Sequence, residues 1–471
     1  MDEFDIVVIG AGPAGYPAAV RAAQLGKRVA VVEASEPGGV CLNEGCIPTK
    51  TLIASYRRYH EAVSHFADFG IECDPVPPAL GTVVDRKDVI VSRLRGGIRM
   101  ILQSHGVELI PGAASFAGPH EIHVTAPDGS GRTIRGDGIL IATGSEPASL
   151  PFLPSSPRIR TSREFLNLRE LPERMIVLGG GVIGCELACL AAQSEQTEVT
   201  VIEAQQDILG MLDPDVRRIV KRGMQHELRI ELMTGKTVTA VAADAESVTV
   251  TVEGNALEAE LLLVAVGRKP RTGGLQLENA GVVVNAHGAI PVNKYGQTNV
   301  PHICAAGDVV AGSRQLAHDA TWHGVRAAEF LCGAFPEDGM ESAVPSAIFT
   351  TPEVGSAGYT ETQATEAGIE YGAAVFPFAA SGKALAEQET DGFAKWIYDP
   401  VSHRVMGAAV VGAHATELIS EATLAVTRGL RLEEITEVQH AHPTHGECWA
   451  EAAHVALGSC VNLPKRRGGN G

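Results

Sequence analysis

The first strongly patterned stretch is "FDIVVIGAGPAGYPAAVRAAQLGKRVAVVE", residues 4 to 33. An apolar run stops at glycines, alanine-rich helical spacing follows, and a second apolar run ends the stretch. Short apolar runs bounded by turn residues predict strands. The stretch therefore predicts strand, glycine turn, helix and strand. "RMIVLGGGVIGCELACLAAQSEQTEVTVIE", residues 174 to 203, repeats the pattern. "ILIATGSEP" (139 to 147) and "LLLVAVGRKP" (261 to 270) each predict a strand closing one unit. "NVPHICAAGDVV" predicts a further small-residue strand, so the chain is expected to return to its first unit near residue 308. From about Val344 the character changes. "IFTTPEVGSAGYT", "FAKWIYDP" and "VMGAAVVGAHATELI" predict strands of a separate α/β domain. Pro17 falls early in the first helix, where it is expected to delete one hydrogen bond and bend the helix locally.

Both glycine turns carry the same chemistry. Gly10, Gly12 and Gly15 form G-x-G-x-x-G after a strand, and Glu33 ends the next strand. Gly179, Gly181 and Gly184 repeat the spacing, with Glu203 in the matching place. In this context the motif is a dinucleotide fingerprint: glycines let the backbone approach a pyrophosphate at a helix N-terminus, and the acid accepts from a ribose. Two fingerprints imply two dinucleotides. A carboxylate at Glu203 accepts from a free 2′-hydroxyl and repels a 2′-phosphate. No arginine follows in "AQQDIL", which favours NAD over NADP.

The chain has 471 residues, room for about three domains. Its net charge of −18 argues against a nucleic-acid partner. No apolar run is long enough to span a membrane. The start "MDEFDIVVIG" passes directly into a strand, with no visible signal peptide, so a cytoplasmic location is expected. Nine cysteines in such a chain do not read as a secreted disulfide framework. No C-x-x-C pair or His/Cys cluster has zinc spacing, and no metal is expected. The tail "PKRRGGNG" is expected to be a solvated, disordered end.

One pair of cysteines stands apart. "GGVCLNEGCIPTK" holds Cys41 and Cys46 five positions apart. A regular helix would separate them by roughly 7.5 Å along its axis and about 140° around it. A disulfide between them would need an irregular local backbone. Pro48 suits a first helical turn.

The two fingerprints, the C-x4-C segment, "ATGS", "AAGD" and "HAHPTHGE" occur in that order. This order resembles the flavoprotein disulfide reductases, in particular the dihydrolipoamide dehydrogenases, over nearly the whole chain. The resemblance implies an α/β fold of two Rossmann-like dinucleotide-binding domains plus a C-terminal α+β dimerisation domain. The implied division is an FAD-binding domain (1–149), an NAD-binding domain (150–270), a central domain returning to the FAD (271–343) and an interface domain (344–471). FAD and NAD are the implied cofactors. The implied reaction is oxidation of protein-bound dihydrolipoamide by NAD+ through a Cys41–Cys46 redox disulfide. The implied partners are a second subunit that shares the active sites and a lipoylated protein of a 2-oxoacid dehydrogenase or glycine cleavage complex. A glutathione or mercuric reductase of the same architecture, or a non-catalytic flavin-binding subunit, is the alternative.

The resemblance also carries residue roles. Cys41 matches the thiol that exchanges with substrate and Cys46 the thiol nearer the flavin. Lys50 matches the lysine near the flavin, and Glu186 the acid that pairs with it. His442, the histidine before "PT", matches the base, with Glu447 as its partner. Gly39, Thr143, Gly144, Asp308 and Ala317 join Gly10, Gly12, Gly15, Glu33 and Lys50 as FAD-binding residues. Gly267 joins Gly179, Gly181, Gly184 and Glu203 for NAD. Two departures are visible: Arg271 stands where asparagine is usual, and Cys448 follows Glu447 where a small residue is usual.

Overall fold

The computed structural model describes residues 1–334 and 343–464; the basic run of the tail, from Lys465 on, lies outside them. The chain forms two compact units. The first comprises Met1–Pro172, Ala240–Thr249 and the described part of Glu260–Glu341. The second comprises Glu173–Thr239, Val250–Ala259 and the described part of Ser342–Gly471.

The first unit opens as its sequence predicts: β1 (Asp2–Ile9), α1 (Gly15–Gln24) and β2 (Val29–Glu33). The helices α2 (Gly39–Glu44), α3 (Cys46–Ser64) and α4 (Leu80–Ser104) follow, then β3 (Glu108–Pro111), β4 (Ala113–Gly118), β5 (Glu121–Thr125) and β6 (Gly131–Ile141). The sheet order is β3-β2-β1-β6-β5-β4, parallel from β3 to β6 and antiparallel beyond it. Strand Ile303–Ala305 pairs in parallel with Ile139–Ile141 of β6, so the chain does return to this sheet.

The apolar runs explain why β1 and β2 sit mid-sheet. Successive strand side chains point to opposite faces. Val7, Ile9, Ala30 and Val32 enter one core, with Ile139 and Ile141. Ile6, Val8, Val29 and Val31 enter the other, beneath Ala18, Ala19 and Ala22 of α1 and Ala320, Ala327 and Ala328 of helix Ala317–Leu331. Each fully buried valine or isoleucine contributes about 1.5–3 kcal/mol, and neither face of these strands tolerates a polar residue.

Pro17 removes one rung of α1. Tyr16 N reaches Gly12 O at 3.1 Å and Ala18 N reaches Ala14 O at 3.4 Å, on either side of the gap. The orphaned Pro13 carbonyl accepts instead from Thr321 Oγ1 at 2.9 Å. The two helices approach closely there: a Cβ on Gly324 would meet Ala14 O at 2.1 Å.

In the second unit, strands Arg174–Leu178, Glu198–Glu203 and Glu231–Thr234 pair in parallel, with helix Val182–Ala192 after the first. Its C-terminal part is a five-stranded antiparallel sheet ordered Ser346–Ile348, Val354–Gly358, Val405–Val411, Phe393–Tyr398, Gly372–Pro377. Helices Ala415–Arg428 and Glu447–Ala456 share a core with it, built around Phe378, Trp396, Ile419 and Trp449. Cys448 is buried in that core, and burial raises its thiol pKa. Lys395, fully buried, is held by Asp213, Asp215 and Glu361 at 2.8–2.9 Å.

Candidate active site: two glycine loops, a dithiol and a histidine–glutamate pair

The glycines of the first loop create a cradle that any side chain would fill. Gly10 has φ +102°, and a Cβ there would meet Ala142 O at 2.4 Å. A Cβ on Gly15 would stand 1.8 Å from Gly10 O. Glu33 stabilises the loop through two amides: Oε2 accepts from Ala11 N at 2.7 Å and Oε1 from Ser35 N at 2.9 Å. The second loop repeats this. Gly179 has φ +112°, and a Cβ on Gly184 would meet Gly179 O at 1.9 Å. Glu203 Oε2 accepts from Gly180 N at 2.6 Å and Oε1 from Gln205 N at 2.7 Å. Both acids thus support the loop's backbone and keep lone pairs for a ribose. Downstream, Arg217 and Lys221 are drawn to Asp207 at 3.3 and 3.1 Å.

The dithiol lies against the first loop. A Cβ on Gly12 would face Gly39 Cα at 3.6 Å, and one on Gly39 would meet Gly12 Cα at 2.7 Å. Helix α2, starting at Gly39, carries Cys41. Gly45 leaves helical geometry (φ −139°, ψ −110°), and Cys46 starts α3. This break is the irregular backbone that the spacing required. Cys41 and Cys46 stand as two thiols joined by a side-chain hydrogen bond. That bond, with burial second, holds the Cys41 thiol far above the ordinary range. Asn43 fixes the segment: its Nδ2 donates to the carbonyls of Glu36, Pro37 and Gly39 at 2.9–3.2 Å, and its Oδ1 accepts from Arg95 Nε at 2.5 Å. Tyr16 is close enough to Cys41 that, after burial, the thiol helps raise its phenol pKa.

A polar junction joins "ATGS", "VGRKP" and "AAGD". Ser145 Oγ donates to Asp308 Oδ2 at 2.6 Å, and Arg268 Nε donates to Ser145 Oγ at 2.8 Å. Arg268 Nη2 donates to Ser145 O at 2.8 Å. Thr143 Oγ1 donates to Arg271 O, and Arg271 N to Gly144 O. Residue 271 therefore holds the turn through its backbone, while its side chain reaches towards Glu146. Gly267 belongs to this first unit, where its carbonyl accepts from Ala148 N at 3.0 Å.

In the second unit, His442 Nδ1 and Glu447 Oε1 are 2.8 Å apart. Glu447 Oε2 accepts from Thr444 N at 2.8 Å. Burial raises the Glu447 pKa, but the Thr444 amide and His442 outweigh it, and the net shift is downward. With Nδ1 on the acid, the Nε2 edge of His442 is left for chemistry, and the side chain is 77% exposed. Glu186 is buried on helix Val182–Ala192 and accepts from Phe349 N at 2.9 Å. Lys50 lies on α3, in the other unit.

The sequence matches the family described as pyridine nucleotide-disulphide oxidoreductase over residues 4–324, and that family's dimerisation domain over residues 344–453. The chain belongs to the pyridine nucleotide-disulphide oxidoreductase family. Among curated relatives, a dihydrolipoyl dehydrogenase of Chlamydia muridarum is 41% identical over 470 residues, covering 99% of both chains. One of Bacillus subtilis is 40% identical over 467 residues, covering 98% of both. Among solved structures, LpdA from Mycobacterium tuberculosis superposes with a TM-score of 0.89 at 27% identity, covering 96% of this chain and 99% of that one. The HOCl-induced flavoprotein disulfide reductase RclA from Escherichia coli gives 0.86 at 29% identity, with the same coverage.

Several residues of this oxidoreductase carry geometry that sequence reasoning left unassigned. Ser145 and Arg268 lie inside the quoted "ATGSEP" and "VGRKP" segments, but nothing local says that they meet Asp308. Asn43 sits between the two cysteines, and its three carbonyl contacts depend on a turn that spacing alone does not reveal.

Proposed function

We propose that this oxidoreductase is a dihydrolipoyl dehydrogenase, oxidising protein-bound dihydrolipoamide with NAD+. The observation that carries the reading is the Cys41–Cys46 dithiol, broken across Gly45 and packed through Gly39 against Gly12 of the first loop. That loop and the Ser145–Asp308 junction fit FAD. The second loop, with its carboxylate, fits NAD. FAD, when bound, carries the electron pair between the dithiol and the nicotinamide.

In the oxidised enzyme, a substrate thiolate attacks Cys41, the Cys41–Cys46 bond breaks, and a mixed disulfide forms on Cys41. The substrate's second thiolate then displaces Cys41 and leaves as cyclic lipoamide. Two substrate protons are released. His442 takes one at Nε2, and Glu447 steadies the resulting imidazolium at Nδ1. Cys41 keeps the other. This leaves the negative charge on Cys46. Thiols of ordinary pKa need such a base to exchange at neutral pH. We assign Lys50 and Glu186 as an ion pair beside the flavin. Gly267 is retained for NAD. The fourfold division at 149, 270 and 343 stands as part of the same reading.

The dimerisation domain supports a homodimer in which Cys41 works with His442 of the partner subunit. A lipoylated protein of a 2-oxoacid dehydrogenase or glycine cleavage complex delivers the substrate. A cytoplasmic location belongs to the same reading. No helix among the described residues is long and apolar enough to cross a membrane. The test is NADH formation from dihydrolipoamide and NAD+, run beside glutathione disulfide and Hg(II) with NADPH. A faster rate with either rival substrate overturns the assignment. Subunit sharing is tested by exchange between Cys41→Ser and His442→Gln chains. Restored activity supports it, and mixed dimers that stay inactive refute it.

A further inference from the structure

The segment that carries His442 holds another histidine. His445 is buried, with its side chain 5% exposed, and its Nε2 lies 3.0 Å from Glu387 Oε2. The exposed His414, at the N-terminus of helix Ala415–Arg428, brings its ring to 5.2 Å from that of His445, centroid to centroid. One nitrogen from each imidazole and one carboxylate oxygen of Glu387 lie within 4.8 Å of one another. From these positions we propose that Glu387, His414 and His445 bind a divalent transition-metal ion of the zinc class.

Two arguments favour the site. The donor set is two imidazoles and one carboxylate, which suits zinc and leaves a fourth position for water. Donor atoms of a tetrahedral zinc site with bonds of about 2.0–2.2 Å stand roughly 3.3–3.6 Å apart, so side-chain adjustment of little more than 1 Å closes the cluster. The buried Nδ1 of His445 has no hydrogen-bond partner among the described residues. Ligation through Nε2 would leave the ring proton on Nδ1 and exchange the hydrogen bond to Glu387 for a bond to the ion.

A second acidic group in the same unit shows what a satisfied site looks like. Asp213, Asp215 and Glu361 also have metal-ligand spacing, but the Lys395 ammonium sits among them. At Glu387 the nearest ammonium, Lys383, takes only the outer oxygen, Oε1, at 2.5 Å. Oε2 faces the His445 imidazole. The spacing hid this site from sequence reading, because Glu387 and His445 are 58 residues apart. An ion there would pin the turn whose neighbours, Thr444 N and Cys448 N, bond to Glu447 and to His445 O.

The test uses the flavin-loaded full chain carrying Cys41→Ser and Cys46→Ser, so that the dithiol cannot capture the probe. Zinc sulfate is titrated against a chromophoric chelator, with thermal unfolding as a second readout. One saturable zinc per chain and a higher Tm are expected. Glu387→Gln and His414→Ala, made separately because His445 itself is too buried to replace safely, should each weaken binding at least about tenfold. Both should also abolish the zinc-dependent rise in Tm. No saturable zinc, or full affinity retained in either variant, overturns the site.

Discussion

The two glycine loops are built alike and covered differently. Each begins with a glycine at positive φ, each has a third glycine whose Cβ would collide with the first glycine's carbonyl, and each is tied by a glutamate to two amides. The middle glycines part company. Gly12 faces the start of α2 through Gly39, whereas a Cβ on Gly181 would meet nothing among the described residues within 4 Å. Local sequence makes the loop, and what packs over it sets its use. A loop roofed by the redox segment suits a cofactor that stays. An open loop suits a co-substrate that comes and goes each turnover.

The sharpest way to break this comparison is to close each loop separately. Gly15→Ala and Gly184→Ala put a methyl group within 2 Å of a carbonyl oxygen that cannot move without the loop. Gly15→Ala should purify without flavin absorbance. Gly184→Ala should keep its flavin and lose about 100-fold or more in kcat/KM for NAD+. Flavin loss in Gly184→Ala as well would end the claim that the loops act independently.

Next in size is the choice of pyridine nucleotide. Glu203→Arg removes the acceptor and adds a phosphate partner. Values of kcat/KM for NAD+ should fall roughly 10- to 100-fold, the worth of a hydrogen bond to a charged group, while NADP+ gains. Flavin content should not change. The equivalent change in the first loop, Glu33→Arg, should reverse the pattern: flavin is lost before nucleotide preference moves.

The roof predicts a smaller difference, read in denaturant melts. Gly39→Ala forces a side chain to φ +59° against Gly12 and should cost about 1–3 kcal/mol. Gly181→Ala enters open space and should stay within about 0.5 kcal/mol of the parent. Equal losses would mean that the cover over the first loop is not the distinguishing feature.

The smallest effect is acid-linked and belongs to the second unit. Glu447 is depressed below its ordinary 4.5. A depressed carboxyl stabilises the fold above its unfolded pKa, and that stability is lost as pH falls through the folded value. Glu447→Gln should therefore cost up to about 1 kcal/mol at neutral pH, and the gap from the parent should close below the ordinary carboxylate range. A gap that persists in acid would assign the loss to packing rather than to charge.

Much of this architecture is legible in the chain itself. Apolar runs such as "IVVI" announce strands, and the glycine spacings announce two loops with an acid after each. These features depend on neighbours a few residues apart, where backbone sterics and side-chain periodicity act directly. The expectation that Pro17 would cost α1 a hydrogen bond came from the same short-range rules. They could not say that Thr321, 308 residues from Pro13, supplies the missing donor.

Tertiary structure decided how the buried polar groups are satisfied. Ser145 finds Asp308, Lys395 finds three carboxylates, and His445 finds Glu387 across tens to hundreds of residues. A buried donor or acceptor left unpaired costs about 1–3 kcal/mol, which favours packings that bring a partner within about 3 Å. Sequence spacing does not say which part of the chain provides that partner. Local order follows from local sterics, but hydrogen-bond partnership is a property of the packed whole.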